Sequence, residues 1–127
     1  MSTEPLKVLI CDDSMLVKRQ LKQILKDAGV ETIFEASNGK EALAIINKYK
    51  PQVMFLDIVM PVMDGIDTLK NIKKKKYNIT VVMISSSGTQ ANLKKAFELG
   101  AYDFILKPWK EAEIAALLDK IRQRGGT

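Results

Sequence analysis

The chain of 127 residues contains no histidine and a single cysteine, Cys11. One thiol allows neither an internal disulfide nor a cysteine zinc site. The plain expectation is a cytoplasmic protein in a reducing compartment. No apolar run approaches the roughly 18 residues of a membrane span. The opening MSTEPLKV lacks the basic-then-apolar order of a secretory signal. No linker, repeat or low-complexity stretch interrupts the chain, so one domain covering residues 1–127 is expected.

Lys and Arg together number 20 against 15 Asp and Glu, a net charge of +5. A basic balance can signal nucleic acid. Much of the excess, however, is the run Lys73-Lys74-Lys75-Lys76, which reads as the end of a helix, where cations complement the dipole. Neither a nucleic-acid partner nor membrane insertion is expected. A partner-binding role for the run is left open.

Short apolar runs alternate with longer amphipathic segments. Strands are expected at Leu6–Cys11, Thr32–Ala36, Val53–Leu56, Ile79–Ile84 and Tyr102–Leu106, most of them rich in Val, Ile, Leu and Phe. Between them lie helical stripes. The first is Val17, Leu21, Ile24, Leu25 and Ala28, ended by Gly29. The second begins at Asn38, with Glu41 three residues on, and carries Ala42, Ile45, Ile46 and Tyr49 before Pro51. The third carries Ile66, Leu69 and Ile72. The fourth carries Leu93, Ala96 and Phe97 and stops at Gly100. The fifth carries Ile114, Leu117, Leu118 and Ile121. This βα alternation implies an α/β fold, a doubly wound five-stranded parallel sheet with helices on both faces.

Parallel strands end at one edge, and ligands bind outside that edge. The first expected strand runs into Asp12-Asp13-Ser14, the third into Asp57, the fourth into Ser85-Ser86-Ser87 and the fifth into Lys107-Pro108. Each piece has a structural reading when taken alone. Asp12 and Asp13 suit a helix cap, the serines a turn, Lys107 a surface position and Asp57 an Asx turn. Together they place three carboxylates, a hydroxyl and an ammonium at one edge. Three acids near one point repel unless a cation joins them. Oxygen ligands without His or Cys point to a hard cation, Mg²⁺ first and Mn²⁺ second. Carboxylate, metal, lysine and hydroxyl make a phosphoryl site, with Asp57 as nucleophile.

The acidic pair CDDS, the segment FLDIVMPVMDG, the strand end VMISSSG and the KPW near the C-terminus resemble response-regulator receiver domains of the stand-alone CheY-type chemotaxis class. The resemblance covers essentially the whole chain. It implies a flavodoxin/CheY-like (βα)5 sheet of strand order 2-1-3-4-5, an order for which CheY itself is a standard example. It implies Asp57 as phosphoacceptor, with metal ligands from Asp12, Asp13, Asp57 and the Val59 carbonyl. Asp13 would bind directly and Asp12 mainly through water. Ser85 and Phe104 fall at the switch positions. Lys107 would pair with the phosphoryl group, and Lys107-Pro108 would be a cis peptide. The implied output surface is the fourth helix, fifth strand and fifth helix. The implied partners are a histidine kinase as donor and a flagellar motor switch component as target, with the protein a monomer. A single-domain phosphorelay intermediate, donating to a histidine phosphotransfer protein, is the alternative. The missing histidine agrees with a donor on another protein.

Several positions depart from the family pattern. The switch aromatic is Phe104 rather than Tyr. Val59 and Ser87 stand where they border the path of attacking water, so they are expected to tune dephosphorylation. Trp109 follows Pro108 where Phe is frequent, and packing at the sheet edge accounts for it. Cys11 reads as a buried core thiol. A dehalogenase-type aspartyl-phosphate phosphatase would need an acid at Val59. A flavodoxin-type carrier would need a hydroxyl-rich loop after the first strand, where this chain has acids. The expectation is therefore a phosphoaccepting module and not a turnover enzyme.

Overall fold

All five residues of the strand Val53–Asp57 are buried, as a strand covered on both faces requires. The computed structural model describes residues 5–86 and 89–125. The elements are β1 (Lys7–Cys11), α1 (Met15–Asp27), β2 (Thr32–Ala36), α2 (Gly39–Tyr49), β3 (Val53–Asp57), α3 (Gly65–Lys74), β4 (Thr80–Ser85), α4 (Gln90–Glu98), β5 (Asp103–Leu106) and α5 (Glu111–Gly125). The strands form one parallel sheet in the order β2-β1-β3-β4-β5. The expected order holds, and the strand boundaries shift by one residue at most.

The two-residue period of the strands divides the core in two. Leu9, Met54, Leu56, Val81 and Met83 face α2, α3 and α4, where Ala42, Ile46, Leu69, Ile72 and Ala96 cover them. Val8, Ile10, Phe55, Val82 and Ile84 face α1 and α5, where Leu21, Leu25, Ile114 and Leu118 cover them. The α4 stripe is narrower than its spacing suggests. Ala96 is the one buried residue of α4, and Phe97 beside it is 45% exposed. Tyr49 is half outside the core and stacks on Phe34 with ring centroids 4.8 Å apart.

Every helix runs back against the strands, so the helix N-termini gather at the carboxyl edge of the sheet. Four of them are capped by side chains. Ser14 Oγ accepts from the Val17 N–H, Asn38 Oδ1 from Glu41, Asp64 Oδ1 from Asp67 and Thr89 Oγ1 from Asn92. The C-termini gather at the opposite edge. There α1 and α4 end on Gly29 and Gly100, with φ of +89° and +98°. The corresponding turns after α2 and α3 are held by Lys50 and Lys76 at φ 52° and 57°. A lysine in this left-handed region costs about 1 kcal/mol that glycine avoids.

Close approach of α2 to α3 depends on Gly39. A Cβ there would lie 1.9 Å from Thr68 Oγ1 and 3.0 Å from the Met63 carbonyl. Gly39→Ala is expected to lower stability by about 1–3 kcal/mol, measured by urea unfolding. Adding Thr68→Ala should recover part of the loss, because it removes the nearest clash and leaves the carbonyl. A neutral Gly39→Ala would mean that the helices are not this close.

Candidate functional site

The register of the sheet brings the ends of β1, β3, β4 and β5 to one point. Asp57 is the last residue of β3 and is 5% exposed, and Asp12, just past β1, is fully buried. Asp13 beside it is exposed. Carboxylate oxygens of Asp12, Asp13 and Asp57 lie within 4.8 Å of one another. Lys107 follows β5, and its backbone N–H donates to the Ser85 carbonyl at 2.8 Å, which ties the ends of β4 and β5 together. The Lys107–Pro108 peptide is cis. Lys107 Nζ reaches Asp12 Oδ2 at 2.8 Å and Asp57 Oδ1 at 3.5 Å. The Ser14 N–H donates to the other Asp12 oxygen at 2.8 Å, so both oxygens of the most buried acid are engaged.

One ammonium does not offset three carboxylates. Burial and then the charge of Asp12 push the Asp57 carboxyl up to about 6, with Lys107 pulling the other way. Burial works against the Lys107 ammonium, but its hydrogen bonds and charge pairing with Asp12 and Asp57 outweigh that and hold it above its ordinary value. The residual negative charge and the oxygen-only donor set fit a hard divalent cation. Among the described residues, Asp12, Asp13 and Asp57 form a group that could hold it.

The sequence profile of the response regulator receiver domain matches residues 8–119. The chain belongs to this family. Among relatives, the receiver is 39% identical to the chemotaxis protein CheY of Thermotoga maritima, over 91% of this chain and 96% of the relative. It is 40% identical to a protein-glutamate methylesterase/protein-glutamine glutaminase of Clostridium acetobutylicum, where the match spans 95% of this chain and 36% of the relative. The CheX-CheY-BeF3-Mg+2 complex of Borrelia burgdorferi contains a chain 38% identical, with a TM-score of 0.85 and coverage of 92% of this chain and 89% of that one.

Other residues singled out in the receiver's sequence sit around this point. Ser85 ends β4 and is 3% exposed. Val59, two residues past Asp57, is 75% exposed at the mouth of the site. Phe104 is partly buried against the α2–α3–α4 layer. Trp109 packs on the opposite core and lines a groove of about 760 Å³ with Val17, Ile24, Lys107 and Pro108. Ser87 lies outside the described residues. Cys11 is buried, with Sγ 3.5 Å from Met60 Sδ. Burial, then the charges of Asp12 and Asp57, push its thiol up to about 12, so it is inert as a nucleophile.

Sequence reasoning overlooked Gly65. A Cβ on it would lie 2.1 Å from the Asp57 carbonyl, and its N–H donates to the Ile58 carbonyl at 2.7 Å. It folds the loop after β3 back beneath the acid. The MDG turn signal was present, but its contact with Asp57 is a tertiary distance.

The raised Asp57 carboxyl carries a stability consequence. The folded state holds the Asp57 proton more tightly than the unfolded chain, whose value is near 3.8. Stability from this group is therefore full below about pH 4 and is lost as pH rises through about 6. In metal-free buffer at pH 7.5, Asp57→Asn should stabilise the fold by on the order of 1–2 kcal/mol. At pH 4 the gain should vanish. Urea midpoints at the two pH values check this, and a gain independent of pH would contradict it.

Proposed function

We propose that this chain is a two-component response regulator that accepts a phosphoryl group onto Asp57 from a sensor-kinase phosphohistidine. The observation that carries the reading is the buried Asp57 carboxylate at the end of β3, flanked by two further carboxylates and by Lys107 at 3.5 Å. The absence of histidine in the chain agrees with a donor on another protein.

An Asp57 oxygen attacks phosphorus as the P–N bond to the donor imidazole breaks, and the bonding pair stays on that nitrogen. Lys107 would leave its carboxylates in part to hold a phosphoryl oxygen, and the Ser85 hydroxyl would donate to another. Asp12, Asp13, Asp57 and the Val59 carbonyl would hold Mg²⁺, with Mn²⁺ as a substitute; when bound, the metal offsets charge on the transferring group. Water later attacks the phosphorus of the acyl phosphate, releasing inorganic phosphate and restoring the carboxylate. Val59 borders that water's path, and Ser87, two positions after Ser85 in the sequence, is the second residue expected to tune this step. The chain catalyses both steps on itself and turns over no external substrate.

The phosphoryl group biases a two-state surface by drawing Ser85 toward it and turning Phe104 inward. The surface it controls is α4–β5–α5, where Phe97 and Leu106 are 45% and 52% exposed and available to a target. Likeness to CheY over most of both chains supports a cytoplasmic, monomeric single receiver domain acting in chemotaxis, with a flagellar motor switch component as output. No helix among the described residues is long and apolar enough to cross a membrane.

Intact mass after incubation with acetyl phosphate should gain one phosphoryl group, only with Mg²⁺ present and not in Asp57→Asn. No gain in folded, metal-loaded protein would remove the phosphoacceptor reading. Val59→Asn is expected to change autodephosphorylation by about threefold or more, since one repositioned water contact of about 0.7 kcal/mol suffices. Equal decay rates for the two proteins would take Val59 out of the water path.

A further inference from the structure

The edge opposite the acid site is where the helices finish, and lysines outnumber acids there, although Asp27 and Glu98 close α1 and α4. Lys26 stands in the last turn of α1, Lys48 in α2, Lys73 and Lys74 in α3, and Lys95 in α4. A cation in a last turn answers the helix dipole. The dipole does not account for the remainder. The run continues past α3 into Lys75 and Lys76, and Lys50 follows α2. Residues 68–97 hold seven lysines and no acid. Among the described residues only Lys22, Lys70 and Lys107 pair with carboxylates, so Lys48, Lys50 and Lys73 to Lys76 pair with none. They stay exposed.

Two cross-links make this one surface. Lys73 Nζ donates to the Glu98 carbonyl at 3.1 Å, joining the ends of α3 and α4. Tyr77 Oη donates to Asn47 Oδ1 at 3.5 Å, joining α3 to the end of α2. Lys50 and Lys76 are also the two residues that hold left-handed turns where α1 and α4 use glycine. The fold thus keeps charge where glycine would relax the backbone, and keeps like charges adjacent where they repel.

We propose that this end of the molecule docks on an anionic phospholipid surface. The lysines come from the ends of several helices, and so spread over the face instead of lining one cleft. Arg122 of α5 stands at this end too, donating to the Ala28 carbonyl at 2.9 Å, but the lysine cluster of α2, α3 and α4 falls within residues 20–121, which contain no arginine, so that cluster lacks the fork that reads carboxylate or base edges in pairs. It also lacks the Trp and Arg anchors on which a protein interface of this kind depends. Clustered lysine point charges match spread lipid phosphates. Tyr49, 43% exposed with Lys48 Nζ 5.1 Å from its ring centre, supplies an aromatic at headgroup height. Bound this way, the acid edge faces away from the like-charged surface.

The test is co-sedimentation of the full chain with phosphatidylcholine vesicles and with vesicles of roughly three parts phosphatidylcholine to one part phosphatidylglycerol. Binding is expected only to the phosphatidylglycerol vesicles and should disappear at about 0.5 M salt. Lys74→Gln with Lys75→Gln should weaken it about fivefold per lysine. Lys50→Gly with Lys76→Gly should weaken it equally while raising the urea midpoint, which separates lost charge from lost fold. Failure to bind phosphatidylglycerol vesicles, equal binding to neutral ones, or variants that bind like the parent would overturn the proposal. So would capture of a labelled polyglutamate peptide or a DNA duplex by protein that ignores the vesicles.

Discussion

Lys107 reaching two buried carboxylates is the contact on which the acidic edge depends. Asp12 and Asp57 come from strands β1 and β3, which are neighbours in the sheet, and sit where burial alone would drive out an unpaired charge. The ammonium at 2.8 Å and 3.5 Å compensates part of that charge. Part remains uncompensated, and the raised Asp57 carboxyl is the expression of it. A site with this imbalance fits a cation, which Asp12, Asp13 and Asp57 could hold. The tension that disfavours the metal-free carboxylate is the same one that makes the site receptive.

Helix polarity sets the two ends of the molecule apart. Parallel strands force each helix to run back against the sheet, so N-termini meet the acid site and C-termini gather opposite. Caps Ser14, Asn38, Asp64 and Thr89 fit the first end. Lysines fit the second, in excess of what the dipoles require. The net charge of +5 therefore averages over two unlike ends, a mostly buried acid cluster at one and an excess of exposed lysines at the other.

Much of the fold was legible because each strand is a short apolar run and each helix has its own stripe. Val53 to Leu56 read as a buried strand from composition alone, and Gly29 and Gly100 read as helix stops. The ends of α2 and α3 were harder, because Lys50 and Lys76 adopt a backbone that sequence reserves for glycine. Phe97 was misplaced for a related reason. Its spacing fits the stripe, but burial depends on how much of α4 the sheet can cover. Of the candidate site, residue types were readable and distances were not. Gly65 went unassigned because only the loop's return to the Asp57 carbonyl gives it work.

The sequence by itself determined the alternation of elements, the family, and which residue types would follow each strand, because these depend on local periodicity and on neighbours in the chain. Only the tertiary structure decided that Lys107 pairs with both Asp12 and Asp57, that Asp12 is fully buried while Asp13 is not, and that lysines from several helices share one face. Those outcomes join residues as many as 95 positions apart in the chain, and the register of a parallel sheet, not the order of the residues, brings them within reach.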